Sequence, residues 1–346
     1  MSGIGLVGVG KWGANWLRTL ASIPEVSLRW CCDLNEALLA KVRKDRPTIS
    51  TTTSFDELLR DAATEGIVIA SAAPSHFALA KKAIDAGKHV LIEKPMTLTS
   101  ADAVELNRLA ERSRRVLMVG HLMEYHSAVP AIRRLIENGD IGEVQRIECR
   151  RANHGILRTD ENVWWSFAPH DISIVLRLMG DWPLSVRCDG QCIVQPHIAD
   201  VVSSTLSFPG GRVARIDVSW HDPVKVRELK VYGTKKWVVF NDMLPWDGKV
   251  QVHDRGFDQN PSAPPHQRIT MRQGNVQSLS LEATEPLVAE ARHFAECIRK
   301  NARPLTDGYA GIAVVSVLEH GDMSLHSKRE VPIPKHEPEA ASRKAA

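Results

Sequence analysis

The stretch Ile4-Gly5-Leu6-Val7-Gly8-Val9-Gly10-Lys11-Trp12-Gly13-Ala14-Asn15-Trp16 decides how the chain begins to fold. It consists of an apolar run, three glycines in the pattern G-x-G-x-x-G, and the start of an amphipathic segment. Between a strand and a helix, glycines at this spacing allow a tight turn, room for a pyrophosphate and close helix packing. The stretch therefore predicts a dinucleotide site, formed by Gly8, Gly10, Lys11, Trp12 and Gly13.

An acidic residue, Asp33, lies just after the second predicted strand. At this position a carboxylate accepts hydrogen bonds from both hydroxyls of the adenosine ribose and repels a 2′-phosphate. No lysine or arginine follows it directly, because Leu34 and Asn35 come next. We therefore expect the cofactor to be NAD(H) rather than NADP(H).

Short apolar runs alternate with amphipathic segments through the first 121 residues. Predicted strands cover residues 4–9, 26–32, 66–71, 89–92 and 116–119, and predicted helices cover 14–22, 34–46, 54–62, 74–86 and 100–112. Ser54 and Glu57 have the spacing of a capping box, and Gly87 is expected to end the helix before it. The alternation predicts an α/β Rossmann domain with a doubly wound parallel sheet.

The pattern changes after His121. A helix is predicted at 125–138, a long strand at 142–152, and six further strands between residues 185 and 253. Residues 256–278 are rich in Pro, Gln and Asn and predict a surface loop, before helical periodicity returns at 285–300 and 309–327. We expect a Rossmann domain at 1–121, an α+β domain with a largely antiparallel open sheet at 122–333, and a flexible tail at 334–346.

Composition excludes several classes of protein. With 346 residues, 43% hydrophobic and 25% charged, the chain can form two ordinary domains. The net charge of +3 is spread along the chain, so neither nucleic acid nor membrane is an expected partner. No run reaches the roughly 20 apolar residues of a membrane span, and no secretion signal is visible, so we expect a cytoplasmic protein. The six cysteines lack metal-binding spacings, and no metal is expected.

A candidate catalytic residue follows the strand predicted at 89–92. In Glu93-Lys94-Pro95, the lysine lies at the carboxyl edge of the sheet, where ligands bind. Partial desolvation there would lower the pKa of the ammonium and suit it to proton exchange with a substrate hydroxyl. Pro74 and His76 are expected near the middle of the cofactor, although His76 could equally have a packing role.

Together with further motifs, these residues resemble the Gfo/Idh/MocA oxidoreductases along nearly the whole chain. The shared motifs are Gly8 to Gly13, Asp33, Ala86-Gly87-Lys88-His89-Val90 before Glu93-Lys94-Pro95, Gly120-His121 and Ala168-Pro169-His170-Asp171. The resemblance implies that Lys94 and His170 flank the reacting carbon. It also implies reversible hydride transfer between C4 of the nicotinamide and a carbinol carbon of a sugar or cyclitol.

Within that family, the chain looks most like the branch of 3-dehydrogenases that act on UDP-N-acetylhexosamines and their uronic acids. The residues then expected to contact substrate are Tyr125, Arg151, Asn153, Arg158, Ser166, His170, Lys225 and Arg227. The basic residues among them suit a diphosphate or a carboxylate. Each could equally be a solvated strand residue or the partner of a protein carboxylate.

Two positions depart from the family pattern. Ser166 stands four residues before His170, where relatives commonly have an aspartate on the same helical face. Asp171 is adjacent in sequence but points elsewhere on a helix. His126 stands where relatives often have asparagine, and it and Tyr125 either contact substrate or belong to the core or an interface.

Three functions remain open from the sequence. The first is a dehydrogenase or ketoreductase of a nucleotide-activated amino sugar, and the second is an inositol or free-sugar dehydrogenase. The third is a non-catalytic sensor that keeps the dinucleotide site, which is disfavoured because Lys94 and His170 are both present. An open sheet with apolar residues at alternate positions also predicts a homodimer or homotetramer.

Overall fold

The computed structural model describes residues 1–155 and 157–336. Positions 337–346, which contain most of the predicted tail, lie outside the described residues. The chain forms two compact units. The first contains Met1–Tyr125 and Glu285–Glu319 together with His336, and the second contains His126–Thr284 and His320–Lys335. In the described part of the chain, no helix is both long and apolar enough to cross a membrane.

The first unit is built on a six-stranded parallel sheet. Its strands are β1 (Ser2–Val7), β2 (Val26–Cys32), β3 (Ser50–Thr52), β4 (Gly66–Ile69), β5 (His89–Glu93) and β6 (Leu117–Gly120). They lie in the order β3-β2-β1-β4-β5-β6, which confirms the predicted doubly wound fold. The direction of winding reverses between β1 and β4, so the ligand crevice of such a sheet lies at their carboxyl ends.

Five helices connect these strands: α1 (Gly13–Leu20), α2 (Glu36–Asp45), α3 (Phe55–Arg60), α4 (His76–Asp85) and α5 (Ser100–Arg112). The predicted capping box of α3 is wrong, because the side chain of Ser54 makes no cap hydrogen bond. Glu57 instead accepts a hydrogen bond from Thr52 Oγ1 at 2.5 Å. That threonine ends β3, a strand of three residues that the sequence pattern did not reveal.

The domain boundaries differ from the sequence expectation, because the chain returns to the first unit after residue 284. Helix α8 (Pro286–Lys300) follows there, and α9 (Gly308–Ser327) begins in the first unit and continues into the second from His320. The apolar face of α8 carries Leu287, Phe294 and Ile298, which belong to the same buried cluster as Ile4 of β1. This packing explains why α8 is part of the Rossmann unit although it lies far along the chain.

The second unit is built on a nine-stranded sheet. Its strands are β7 (Val144–His154), β8 (Ser185–Gln191), β9 (Val201–Ser207), β10 (Val213–Ser219), β11 (His221–Gly233), β12 (Trp237–Asn241), β13 (Val250–Gln259), β14 (Ile269–Ser278) and β15 (Val331–Pro332). The order is β14-β13-β12-β11-β7-β10-β9-β8-β15. Among the described strands, β7 and β10 pair in parallel and the other neighbours are antiparallel, so the sheet is mixed but largely antiparallel, as predicted. The unit also contains helices α6 (Ala128–Glu137) and α7 (Val163–Met179).

The prediction of a surface loop at 256–278 is wrong. Most of it belongs to a long hairpin in which β13 pairs with β14, from Gln251 opposite Ser278 to Gln259 opposite Ile269. The Pro and Asn residues are concentrated in the turn at 260–268, whereas the flanking residues pair their backbone groups across the hairpin. Composition averaged over the whole segment therefore concealed the strands.

The exposed face of the central strands also differs from the expectation of an apolar surface. Charged side chains alternate with buried apolar ones, and those that point outward include Arg146, Glu148, Arg150, Arg215 and Asp217. Exposed apolar side chains lie instead on the hairpin, where Phe257 is 59%, Ile269 63%, Met271 65% and Val276 45% exposed. The hairpin at the end of the sheet therefore carries a group of exposed apolar side chains.

Candidate active site

The glycine loop, residues 8–13, connects β1 to α1 through close backbone contacts. Gly8 has a φ of +87°, and a Cβ there would lie 2.8 Å from the backbone of Ala70. A Cβ on Gly13 would lie 2.0 Å from the carbonyl oxygen of Gly8. Gly10 has nothing within 4 Å of such an atom, so its backbone borders open space. A tight turn, a closely packed helix and an accessible backbone are what dinucleotide phosphates require.

Asp33 lies directly beside this loop, at the carboxyl end of β2. Its Oδ2 accepts a hydrogen bond from the backbone N–H of Val9 at 2.8 Å, and its Oδ1 accepts one from Asn35 at 2.8 Å. The carboxylate is therefore oriented by the backbone and remains partly exposed. Lys11 is exposed in the same loop. The residues present fit the adenosine ribose and phosphates of NAD.

The carboxylate of Glu93, at the end of β5, is held by three N–H groups. Its Oε1 accepts hydrogen bonds from the indoles of Trp12 at 2.5 Å and Trp16 at 2.7 Å. Its Oε2 accepts one from the backbone N–H of Lys94 at 3.2 Å. Only 7% of Glu93 is exposed, and Gly120 of β6 leaves room for it, since a Cβ there would lie 3.0 Å from Oε2.

Lys94 is half-buried and follows β5 directly, where a proton-exchange lysine was predicted. Its neighbour Pro95 contacts His76, whose Nδ1 lies 2.8 Å from the Pro95 carbonyl oxygen. The other ring nitrogen of His76 lies 3.0 Å from the carbonyl oxygen of Ser71. Burial lowers the pKa of this histidine. His76 therefore connects α4 to the turn beside Lys94, which supports the packing role considered for this histidine. Pro74, two residues earlier, is exposed.

Tyr125 and Glu290 lie near each other inside the first unit. The Tyr125 hydroxyl lies 3.2 Å from Thr306 Oγ1, and burial followed by the charge of Glu290 raises the pKa of the phenol. Glu290 of α8 is fully buried, and neither of its oxygens has a hydrogen-bond partner among the described residues. Burial and the nearby Glu93 raise the pKa of Glu290 well above its ordinary value. Burial therefore favours the protonated form of the Glu290 carboxyl group.

In the second unit, helix α7 presents His170. Asn162 caps the start of the helix, because its side chain accepts a hydrogen bond from the N–H of Trp165. Gly180, in the left-handed conformation, caps its end. Ser166 is buried one turn before His170, which is half-buried. The spacing places serine and histidine on one face, as the sequence predicted.

Arg151 and Asp171 form a buried ion pair. Arg151 Nε and Nη2 donate to the two carboxylate oxygens at 2.7 and 3.0 Å, and both residues are less than a tenth exposed. Asp171 therefore points away from His170 toward β7, as expected from its position on the helix. These two hydrogen bonds occupy one edge of the Arg151 guanidinium. Arg151 is therefore the partner of a protein carboxylate, which was the alternative to a role in substrate binding.

Arg227 is the direct neighbour of Arg151 across β11 and β7, and the two together are called the arginine pair. Arg227 Nη1 lies 3.7 Å from Asp242 Oδ2, and its side chain is 38% exposed. Burial and the nearby charge of Arg151 lower the pKa of Arg227. Asp242 also accepts a hydrogen bond from Lys249 at 2.8 Å. Among the described residues of this cluster, three cations (Arg151, Arg227 and Lys249) share two carboxylates (Asp171 and Asp242). One positive charge is therefore in excess.

His126 packs inside this cluster. Its ring stacks on Trp246 with centroids 5.1 Å apart, and its Nε2 lies 3.4 Å from Asp242 Oδ1. Burial acts to raise the pKa of Asp242, but hydrogen bonds from His126 and Lys249 outweigh it and hold this pKa below its usual range. Only 3% of His126 is exposed, which supports the core alternative for this residue.

The remaining predicted substrate residues lie elsewhere in the second unit. Asn153 is half-buried near the end of β7, and Lys225 is exposed where the register of β11 shifts against β7. Arg158 is exposed and forms an ion pair with Glu161 at 2.9 Å. The structure thus brings Arg151 and Arg227 together, whereas Arg158 has a carboxylate partner of its own.

Sequence reasoning missed Trp16, Asp242 and Glu290. Trp16 is one helical turn after Trp12, so the two indoles share a face, a signal that the sequence contained. Asp242 follows a strand directly, as Asp33 does. Glu290 interrupts the apolar face of α8 three residues after Leu287 and four before Phe294, a spacing that indicates a buried acid.

The glycine loop, Asp33 at the end of β2 and Lys94 at the end of β5 define an oxidoreductase that uses a nicotinamide dinucleotide. An oxidoreductase family with an NAD-binding Rossmann fold matches residues 2–121, and the GFO/IDH/MocA C-terminal domain matches residues 129–239. The chain belongs to the Gfo/Idh/MocA family, and its first unit is the NAD-binding Rossmann domain.

Similar proteins include several sugar dehydrogenases. UDP-N-acetylglucosamine 3-dehydrogenase of Acidithiobacillus ferrooxidans is 28% identical over 90% of this chain and 93% of its own length. Myo-inositol 2-dehydrogenase of Thermotoga maritima is 24% identical over 67% of this chain and 73% of its own. The uncharacterized oxidoreductase YdgJ of Escherichia coli is 32% identical, but the match spans only 50% of this chain and 53% of that protein.

Solved structures share the whole fold. The Acidithiobacillus ferrooxidans enzyme superposes with a TM-score of 0.80 at 24% identity, covering 94% of this chain and 98% of that one. GenD2 from gentamicin A biosynthesis, solved in complex with NAD, has a TM-score of 0.80 at 22% identity and covers 96% of this chain and 97% of its own.

Replacing Glu290 by glutamine should stabilise the protein at alkaline pH. Because the folded-state pKa of Glu290 is raised, the unfolded chain releases this proton first, above about pH 4.3. The wild type then loses up to about 1.4 kcal/mol of folding free energy per pH unit until the folded carboxyl also ionises, whereas Glu290→Gln does not. Urea denaturation at pH 5, 6.5 and 8 should show the stability difference widening in favour of the variant.

Glu296→Gln is the matched control on the same helix. Glu296 is 46% exposed and its pKa is lowered by the hydrogen bond from Lys300, so its replacement should give no such gain at pH 8. A loss of stability in Glu290→Gln at pH 8 would show that Glu290 is an ionised, hydrogen-bonded group.

Proposed function

We propose that this NAD-binding oxidoreductase transfers hydride between the nicotinamide and a ring carbinol or ketone, at C3, of a nucleotide-activated amino sugar. The observation that carries the substrate class is the positive charge in excess around the arginine pair. A sugar linked to a diphosphate or carrying a carboxylate supplies the missing anion, and Arg227 is the exposed member that would bind it. The similarity to a UDP-N-acetylglucosamine 3-dehydrogenase supports the same class.

The chain's own residues account for the proton transfers of such a reaction. NAD, when bound, accepts or returns the hydride at C4. Lys94 exchanges the hydroxyl proton of the substrate, because it is half-buried at the carboxyl edge of the parallel sheet. His170 is proposed as the second proton-transfer group, and Asp33 holds the adenosine ribose and disfavours a 2′-phosphate.

A second candidate substrate is an inositol or free sugar, which the similarity to myo-inositol 2-dehydrogenase favours. A neutral polyol leaves the excess positive charge around the arginine pair uncompensated, so the charge balance disfavours it. The non-catalytic alternative rests on Ser166 in place of an aspartate. It predicts tight NADH binding without turnover of any sugar.

We expect the enzyme to prefer an anionic sugar and to depend on Arg227 for that preference. The purified protein is incubated with NAD and UDP-sugars, dTDP-sugars, inositols or free hexoses, while NADH absorbance and keto products by mass spectrometry are followed. Arg227→Met should lower kcat/KM for the anionic substrate about 10- to 100-fold, since a hydrogen bond to a charged group is worth about 1.5–3 kcal/mol.

Arg150→Met is the control, because Arg150 lies on β7 beside Arg151 but on the opposite face of that strand, and it pairs with Asp222. It should leave kcat/KM nearly unchanged. Turnover of inositol with equal efficiency in wild type and Arg227→Met would instead favour the neutral substrate.

Lys94→Ala should abolish turnover while leaving NADH affinity nearly intact. Loss of a proton-transfer group typically costs about 10²–10⁴-fold in rate, whereas the glycine loop and Asp33 hold the dinucleotide. His170→Ala should act in the same direction but less severely, because Ser166 supplies no carboxylate to the histidine. Steady-state kinetics and NADH fluorescence titration measure both effects, with Lys81→Ala, an exposed residue paired to Glu105, as control.

Wild-type turnover in Lys94→Ala would exclude this lysine as the acid/base group. A larger loss in His170→Ala than in Lys94→Ala would show that the histidine carries the main proton transfer despite Ser166.

We further propose a homo-oligomer that buries the exposed side chains of the β13–β14 hairpin. Strand β14 is the edge of the sheet, and Ile269 and Met271 on it are 63% and 65% exposed. A second copy would cover this edge and its apolar surface. Light scattering at micromolar concentration should give a dimer or tetramer for the wild type and a smaller species for Ile269→Asp/Met271→Asp; a monomeric wild type would contradict the proposal.

A further inference from the structure

The indole clamp, formed by Trp12, Trp16 and Glu93, connects the glycine loop to the strand that carries Lys94. Trp12 is the last residue before α1 and Trp16 is one turn into it, so both indoles lie on the same side of the helix. Both N–H groups donate to the same oxygen of Glu93, at 2.5 and 2.7 Å. One buried carboxylate oxygen thus joins the beginning of α1 to the end of β5.

The other oxygen of Glu93 acts on Lys94 itself. Oε2 accepts the backbone N–H of Lys94 at 3.2 Å, so the orientation of the carboxylate and the main chain at Lys94 are set together. The glycine at position 120 is part of this arrangement, because a Cβ there would lie within 3.1 Å of Glu93 Oε2, Cδ and Cα. Rotation of the carboxylate away from the indoles would therefore also break its bond to Lys94.

The two tryptophans differ in exposure. Trp16 is fully buried, whereas Trp12 is 41% exposed and belongs to the glycine loop, which is expected to border the dinucleotide phosphates. A change at Trp12 on cofactor binding therefore reaches Glu93 directly. Because both indole N–H groups donate to one buried oxygen, displacement of either indole acts on the same carboxyl group.

We propose that Trp12 and Trp16 are positioning residues, which fix Glu93 and thereby couple the glycine loop to the placement of Lys94. This inference rests on the proposed function of Lys94. It assigns the tryptophans no contact with the reacting atoms, and their effect on catalysis passes through Glu93.

The test replaces each tryptophan by phenylalanine, which keeps an aromatic ring and removes the N–H donor. Trp30→Phe is the matched control, because Trp30 Nε1 also donates to a carboxylate of the same unit, Asp61, at 3.0 Å. Trp12→Phe and Trp16→Phe should each lower kcat about 10- to 100-fold, the size expected when a reacting group is slightly misplaced. The dissociation constant for NADH should change less than about threefold in Trp16→Phe, and Trp30→Phe should retain both values.

A spectroscopic measurement tests the coupling without any substrate. The indole ¹⁵N–¹H signals of Trp12 and Trp16 should both shift during an NADH titration, with one dissociation constant, although Trp16 is buried. In Trp12→Phe the response of Trp16 should be lost, while Glu93→Gln should displace both signals in the absence of NADH. If Trp16 had only a structural role, its indole signal would not shift during the NADH titration. Trp16→Phe would then not lower kcat while leaving the dissociation constant for NADH unchanged.

The outcomes separate the inference from the proposed function. Coupled indole shifts in a protein that turns over no sugar would support the clamp and overturn the dehydrogenase proposal. Normal kcat in both Trp→Phe variants, with a Trp16 signal that is indifferent to NADH, would overturn the clamp and leave the dehydrogenase intact. Should Trp16→Phe not fold, Trp12→Phe carries the same test at a partly exposed position.

Discussion

The close approach of Gly13 to the carbonyl of Gly8 is the contact on which the rest of the first unit depends. A side chain at Gly13 would collide at 2.0 Å, so only glycine lets α1 begin so near the end of β1. Because the helix begins there, Trp12 and Trp16 are brought to Glu93 and Val9 is brought to Asp33. The glycine loop, Asp33 and the strand end before Lys94 are therefore placed by one packing contact.

Local signals explain most of what the sequence predicted about the fold. Strand β2 and helix α5 occupy the predicted residues, because each has a clear apolar period and polar boundaries. Errors arose where long-range pairing decides the structure. The β13–β14 hairpin is stabilised by backbone pairing that composition does not show, and α8 packs on β1 through Phe294, nearly three hundred residues along the chain. Neither partner can be inferred from a local window.

Predictions about the candidate site also succeeded for features that are local in sequence and failed for long-range contacts. Gly10, Asp33 and Lys94 were found because a strand end and a glycine pattern are local features, and their places follow from the topology of a parallel sheet. The partners of the basic residues could not be predicted. Arg151 meets Asp171 only because α7 packs against β7, and Arg227 meets Asp242 only because β11 and β12 pair. Sequence alone therefore identified the charges but not which of them are neutralised.

Two buried glutamates of the first unit differ in the hydrogen bonds that their carboxyl groups accept. Glu93 accepts three N–H groups, whereas Glu290 has no such donor among the described residues and its pKa is raised. Two buried negative charges this near each other would repel strongly. The raised pKa of Glu290 favours its neutral form, which lessens this repulsion, so a residue of α8 helps to accommodate the buried carboxylate that adjoins Lys94.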